Sequence, residues 1–266
     1  SESCWTWGLF AALLVVVGAR FVRLEIDPPY GIISNSGEFL TDEGWYTKSA
    51  QLHAKFGEWT SEHDIVWFSH NALFELIESA AFSLLGVGVR VARLVSVLAS
   101  CVSLTAFYVV LRTIQPRAVA LACCLIAAVA LPSFAYSRMA LVEPMGVAFS
   151  MLALAAWVSL PLGVPACAAG LALAAAAAFA KFSFVFTFVA LILLSLGEAA
   201  ILVHERRWRG ASLVLAAAVL VPMASSSVQT LVSAIAPEQS ATFVQWHVQS
   251  RMDELSFDSV TYYEAK

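Results

Sequence analysis

The feature that most constrains this chain is a series of long apolar runs, several of which match the thickness of a lipid bilayer. About 20 apolar residues in a helix cross a hydrocarbon core of roughly 30 Å. Of the 266 residues, 60% are hydrophobic and 13% are charged, and the mean hydropathy is +0.80. A water-soluble globular protein is closer to half apolar. The sequence therefore predicts an all-α, polytopic membrane protein.

The apolar runs predict about seven transmembrane helices. They lie roughly over residues 5–22, 92–111, 118–134, 141–160, 164–180, 182–202 and 211–232. An Ala-rich stretch in the fifth run is typical of membrane helices that pack closely through small side chains. We expect a transmembrane module over residues 1–235, with a long first loop over 23–91, and a polar extracytoplasmic segment over 236–266.

Residues 71–89 form a further apolar run, which Glu75 and Glu78 interrupt on one helical face. Exposing that face to lipid costs about 2.5–3.5 kcal/mol per carboxylate. A helix that lies flat in the interface, with its acidic face in water, avoids this cost. The two alternatives are therefore an additional span and an interfacial helix.

The basic residues of the short connections separate these alternatives. If residues 71–89 lie flat, the connections near Arg112 and near residues 206–209 share one side with the N-terminus. The positive-inside rule makes that side cytoplasmic. Arg20 and Arg23 oppose this orientation unless they snorkel outward from the end of the first span. We expect a flat helix, a cytoplasmic N-terminus and a location in the cell membrane.

Asp42 and Glu43 are adjacent acids in the loop after the first span. Between residues 25 and 70 the loop has eight acidic residues and two lysines. Thr41 or Asp42 can cap a helix over about 42–57, with Glu43 in the first turn, where the helix dipole favours a carboxylate. Alternatively, Asp42 accepts a proton from a hydroxyl substrate, with Glu43 beside it.

Three further charged residues lie at the expected outer ends of spans. Arg138 and Glu143 flank the start of the fourth span, where they could form an ion pair or provide an anion-binding group and a second acid. Lys181 interrupts a long apolar stretch, either as an interfacial anchor or as a ligand for a phosphate.

The aromatic residues of the same loop, among them Tyr46, are typical of an interfacial belt, although aromatic side chains beside carboxylates also suit sugar binding. His70 is a candidate site residue, but the histidines are too scattered to predict a metal site. The net charge of −4 and the absence of a long basic run disfavour nucleic acid as a partner.

Four segments, in this order, resemble membrane glycosyltransferases of the GT-C type, in the branch that is similar to protein O-mannosyltransferases and the lipid A aminoarabinose transferase. They are DEGWYTKSAQLHAKFGEW from Asp42, NALFELIESAAFSLLGVGVRVARLVSVLAS from Asn71, YSRMALVEP from Tyr136 and AFAKFSF from Ala178. The resemblance covers roughly residues 5–235. It also implies that the second helix lies flat on the membrane.

The resemblance implies transfer of a sugar from a polyprenyl-phosphate carrier to a hydroxyl acceptor, which is a lipid, a glycan or a protein, on the extracytoplasmic face. Asp42 would activate the acceptor and Glu143 would be the second acid. Arg138 and Lys181 would contact the carrier phosphate, and cationic groups there would stabilise the leaving group. No cofactor is predicted, and a divalent metal requirement stays open.

Two departures from the family pattern limit what the resemblance implies. Ser69-His70-Asn71 replaces the family's His-Pro-Pro, and the chain stops after seven spans where relatives continue, so we expect a missing C-terminal part. Two other functions remain alternatives: a transporter or flippase, and a non-catalytic membrane subunit. A transporter would need polar groups at mid-membrane and usually an internal repeat.

Overall fold

A computed structural model of the protein describes residues 4–25, 43–59, 68–160, 163–205 and 210–220. These residues form α-helices and one short 3₁₀ turn, and they contain no β-strand, so the all-α prediction is confirmed. The helices are α1 (Cys4–Ala19), α2 (Glu43–Phe56), α3 (Phe68–Leu85), α4 (Val89–Ile114), α5 (Arg117–Val129), α6 (Leu131–Ser137), α7 (Glu143–Ser159), α8 (Val164–Ala180), α9 (Val185–His204) and α10 (Gly210–Leu220). The 3₁₀ turn covers Phe182–Phe184 and joins α8 to α9.

The helices α4, α7 and α8 pack side by side at the centre of the described fold. α9 packs on α8, α1 packs on α5, and α2 lies on α3, which in turn contacts α4 and α8. The facing sides of α7 and α8 are rich in buried small residues, among them Ala153, Gly170 and Ala174. Small side chains let helix backbones approach closely. The prediction that the Ala-rich stretch forms a closely packed helix is therefore confirmed.

Two helices in the described residues, α4 and α9, are long and apolar enough to cross a bilayer. α5 and α6 would make a third such helix if they formed one bent span. α1, α7, α8 and α10 are apolar but shorter. These helices could insert into a membrane, while the full count of seven spans stays a prediction.

The span predicted over 118–134 is not one continuous helix, because α5 and α6 are bent by 65° at Ala130. The pair could still form one broken span. Pro132 lies at the start of α6 and has no N–H to donate to the carbonyl four residues back. That carbonyl belongs to Ala128, and it accepts a hydrogen bond of 2.8 Å from Arg20 Nη2 instead. The bend therefore follows from a proline whose missing hydrogen bond is replaced by a distant arginine.

Arg20 does not extend outward to the interface, the placement that would have reconciled it with a cytoplasmic N-terminus. Its side chain is fully buried, contacts the hydroxyl of Ser100, and lies 5.5 Å from the centre of the Phe134 ring. The guanidinium has more donors than any other side chain, and here they connect the end of α1 to α4 and to the α5–α6 bend.

The acidic face of α3 is not in water, which corrects the expectation from the sequence that Glu75 and Glu78 face solvent. Glu75 and Glu78 are both fully buried, whereas Leu76, Leu84 and Leu85 on the same helix are exposed. α3 thus turns its carboxylates toward the protein and its leucines outward. The sequence pattern predicted an amphipathic helix correctly, but it could not show that α2 covers the polar face.

Candidate functional site

A cluster of Tyr46, Glu143 and Lys181 joins three segments that are far apart in the chain. Tyr46 lies in the second turn of α2, Glu143 begins α7, and Lys181 follows the last residue of α8. Lys181 Nζ forms an ion pair with Glu143 Oε1. Its distance to the Tyr46 hydroxyl is 3.5 Å, and its distance to the centre of the Tyr46 ring is 5.6 Å. Three of the residues predicted from the sequence therefore meet.

The geometry of α7 and α8 explains this meeting. Glu143 lies in the first turn of α7, where the dipole favours a carboxylate. The backbone of Lys181 ends α8 by donating to the carbonyl of Ala177 at 3.0 Å. Because α7 and α8 pack against each other, the start of one and the end of the other bring the two charges together.

The ion pair is partly open to solvent. The side chains of Lys181 and Glu143 are 27% and 37% exposed, whereas Tyr46 is buried beneath them. Burial disfavours the ammonium, but the hydrogen bond and the charge of Glu143 outweigh this effect and raise the pKa of Lys181. Lys181 is therefore a cation at neutral pH, and an anion could approach it.

Glu143 has a second oxygen that the ion pair does not use. Glu143 Oε2 is buried and has no hydrogen-bond partner among the described residues. A carboxylate can accept several hydrogen bonds, so this oxygen could accept one from a substrate hydroxyl only after a local movement has exposed it. The cluster thus combines a cation, a hydroxyl and an acceptor oxygen within one small region.

Glu43 makes a different and fully buried ion pair with Arg93. Arg93 Nε donates to Glu43 Oε1 at 2.9 Å, and Arg93 Nη2 donates to Glu43 Oε2 at 2.8 Å. The amide of Ala140 also donates to Glu43 Oε1, at 2.5 Å. Arg93 further donates to the carbonyl of Leu24 at 2.6 Å. Both oxygens of Glu43 are therefore occupied, and the residue joins the start of α2 to α4 and to the segment before α7.

Arg138 contacts backbone oxygens at the end of α1. Its Nη1 donates to the carbonyl of Ala19 at 2.7 Å and its Nη2 donates to that of Val22 at 2.6 Å. The Arg138 guanidinium also lies 5.7 Å from the centre of the Phe134 ring. A cation near the C-terminus of a helix interacts favourably with its dipole. These contacts give Arg138 a structural role, and a contact with a carrier phosphate stays a prediction.

Two predicted site residues cannot be located in full. Asp42 lies outside the described residues, and for His70 the structure describes the backbone in α3 but not the side chain. The predictions for both residues therefore stand as they were made. In the described residues, no group of three or more His, Cys, Asp and Glu side chains could hold a metal ion.

Arg93 is not among the site residues predicted from the sequence. It lies near the start of an apolar helix, where a charged residue is costly unless it has a partner. That cost is the signal that could have identified it. Its partner could not be named from the sequence, because Glu43 lies fifty positions before Arg93 in the chain and the same loop contains several other acids.

Comparisons with protein-family models, curated proteins and solved structures find no match for this chain. The resemblance to membrane glycosyltransferases therefore rests on the four sequence segments, and a function must be argued from the site.

Proposed function

We propose that this chain is an integral membrane glycosyltransferase that moves a sugar from a polyprenyl-phosphate carrier to a hydroxyl acceptor. The observation that carries this proposal is the convergence of Lys181, Glu143 and Tyr46 in one half-exposed cluster. A lysine ammonium binds phosphate as a point charge, and hydroxyl and carboxylate groups beside it suit a sugar.

We assign a role in the reaction to four of the predicted residues. Asp42 accepts the proton of the acceptor hydroxyl, whose oxygen forms a bond to the anomeric carbon of the sugar. The bond between that carbon and the carrier phosphate breaks, and the phosphate leaves with the electron pair. Lys181 stabilises the charge that develops on the phosphate, and Glu143 orients a sugar hydroxyl once substrate binding exposes its second oxygen. Tyr46 holds Lys181 in position.

The proposal includes the membrane arrangement expected from the sequence. About seven spans would place the N-terminus in the cytoplasm and the cluster at the extracytoplasmic face of the cell membrane. The two long apolar helices α4 and α9 and the bent pair α5–α6 support insertion in a bilayer. Lys181 and Glu143 lie at helix ends, as expected for groups at a membrane surface.

The test is complementation of a strain that lacks the gene. Wild type, Asp42→Asn, Glu143→Gln and Lys181→Met are expressed, and transferred glycans and polyprenyl-phosphate sugars are measured by mass spectrometry. Loss of a general base typically lowers a rate by about 10²–10⁴, so Asp42→Asn should abolish the transferred glycan while the carrier-linked sugar accumulates. Glu58, exposed in the same loop, supplies Glu58→Gln as a matched control with wild-type transfer.

A transfer assay in broken membranes of the same strains discriminates the alternatives. A transporter or flippase mutant would accumulate carrier-linked sugar on the inner leaflet without loss of transferase activity in broken membranes. A non-catalytic subunit would tolerate Asp42→Asn. Wild-type transfer by both Asp42→Asn and Glu143→Gln would show that the catalytic assignment is wrong.

A further inference from the structure

Glu75 and Glu78 form a buried acidic pair between α2 and α3 that the proposed reaction does not use. Both side chains are fully buried. Glu75 Oε2 accepts a hydrogen bond from the amide of Ala50 on α2 at 2.9 Å. The other three oxygens, Glu75 Oε1 and both oxygens of Glu78, have no hydrogen-bond partner among the residues that the structure describes.

No cation in the described residues is paired with these two carboxyl groups. The charged and titratable side chains of the helices that pack on α3 are mostly engaged elsewhere: Glu43 is bound to Arg93 of α4, His53 to Ser79, and Lys181, after α8, to Glu143 and Tyr46. Lys48, Lys55 and Arg90 are exposed. The nearest charge that acts on Glu78 from α2 is therefore the negative charge of Glu43.

Two ionised carboxylates in this position would be very unfavourable. An unpaired buried charge costs so much that the group shifts its pKa and becomes neutral instead. Burial raises the pKa of Glu75 to about 8, opposed by the hydrogen bond from Ala50. Burial, with the charges of Glu75 and Glu43, raises the pKa of Glu78 well above its usual range. α3 is not among the candidate spans, and separation of α2 from α3 would expose these groups to water.

We propose that Glu75 and Glu78 are a proton-dependent contact that holds α2 on α3 when both are neutral and releases α2 when they ionise. α2 begins with Glu43 and carries Tyr46, which contacts Lys181. Glu43 anchors the start of α2 to Arg93, so separation of α2 from α3 would move the part of the helix after Glu43 and with it displace Tyr46 from Lys181. The protonation of the pair follows the pH of the compartment that it faces, and it would thereby control whether Tyr46 contacts Lys181.

The direction of the pH effect follows from linkage. A carboxyl group whose pKa is raised by packing stabilises the packed state fully below its ordinary pKa of about 4.5, and the stabilisation falls as pH rises toward the raised value. Each proton released on opening increases the opening constant about tenfold per pH unit. Between pH 6 and pH 8, opening of α2 should therefore become about 50-fold more frequent if only Glu75 releases a proton, because its pKa of about 8 in the packed state limits the increase. The increase is larger if Glu78 also ionises.

The experiment measures protonation and opening in the purified full chain in lipid nanodiscs. Infrared spectra at pH 7 should show a carboxylic acid carbonyl band that decreases in Glu75→Gln, in Glu78→Gln and in the double variant, but not in Glu58→Gln. Hydrogen exchange of peptides from 43–56, corrected for the intrinsic pH dependence, should increase with pH in wild type and in Glu58→Gln. In the double glutamine variant, which stays neutral, it should not.

Two results would overturn the proposal, and neither depends on transferase activity. One is the absence of an acid band from these residues at pH 7 in wild type. It would mean that the pair is ionised, for example because a bound cation stabilises the carboxylates. The other is a corrected exchange of 43–56 that does not change with pH in wild type. The exchange result is measured on the wild-type protein alone, so poor folding of a variant cannot obscure it. The acid band is assigned to this pair by its difference from the glutamine variants, because the buried Glu198 can also contribute such a band.

Discussion

At the scale of single residues, the Glu43–Arg93 pair makes each partner dependent on the other. Both side chains are almost completely buried, at 6% and 3% exposed. Taking two charges out of water is costly, and only a well-formed pair with further hydrogen bonds offsets that cost. Here the amide of Ala140 and the carbonyl of Leu24 provide those bonds. Loss of either charge should therefore be much worse than loss of both.

We predict that Arg93→Met destabilises the protein by about 3–5 kcal/mol, because it leaves the Glu43 carboxylate buried and unpaired. The double variant Glu43→Met/Arg93→Met should recover a large part of that loss. Denaturant unfolding in detergent micelles, followed by circular dichroism, measures both. Arg112→Met is the control, since Arg112 lies on the same helix but is exposed. Equal destabilisation by Arg93→Met and Arg112→Met would mean that the buried pair contributes little.

At the scale of helices, one close approach holds the two charged ends of the candidate site together. Gly146 lies one turn after Glu143 on α7, and a Cβ atom there would overlap the ring of Phe184 in the 3₁₀ turn after Lys181. Glycine permits this approach because it has no side chain. The distance between Glu143 and Lys181 thus depends on a contact that neither residue makes itself.

Gly146→Ala should therefore displace Phe184 and destabilise the protein by about 1–3 kcal/mol, as overpacked cores do. It should also lower transfer in the complementation assay, because Lys181 moves with the turn. Gly197→Ala on α9 is the matched control. A Cβ atom there meets nothing within 4 Å, so that change should be neutral or stabilise the helix by up to about 1 kcal/mol. Thermal unfolding in detergent compares the two, and wild-type stability and activity of Gly146→Ala would contradict the role given to this contact.

At the scale of the whole molecule, the arrangement in the membrane decides which side the cluster faces. We predict that a single cysteine at Glu58 reacts with a membrane-impermeant maleimide in intact cells. A cysteine at Gln115, in the short connection between α4 and α5, should react only after permeabilisation. Both positions are exposed, so access to the reagent is limited by the membrane alone.

The measurement requires a background in which the five native cysteines are replaced. Labelling of both positions in intact cells, or of Gln115 only, would contradict a cytoplasmic N-terminus with a flat α3. Position 78 is unsuitable as a probe of α3 because Glu78 is fully buried. Leu84, which is 84% exposed, can report instead whether lipid or water covers the outer face of α3.

The sequence pattern was sufficient to predict features that depend only on residues close together in the chain. The apolar runs predicted the helical class, and Pro132 could have predicted the break between α5 and α6, since the missing N–H is a local property. The acidic face of α3 is different. Its helical spacing was clear, but whether water or α2 covers Glu75 depends on a helix that lies twenty-five residues earlier in the chain.

Sequence by itself determined that the chain is helical and strongly apolar, and it identified Tyr46, Glu143 and Lys181 as residues with a reason to be noticed. The length of an apolar run and an isolated charge within it can both be read from the sequence, because a charge in an apolar environment is unfavourable in any fold. Only the tertiary structure decided which charges meet. It paired Lys181 with Glu143 and Glu43 with Arg93, and it buried Glu75 and Glu78. Ion pairs and burial depend on distances between segments, and these distances cannot be read from the order of residues.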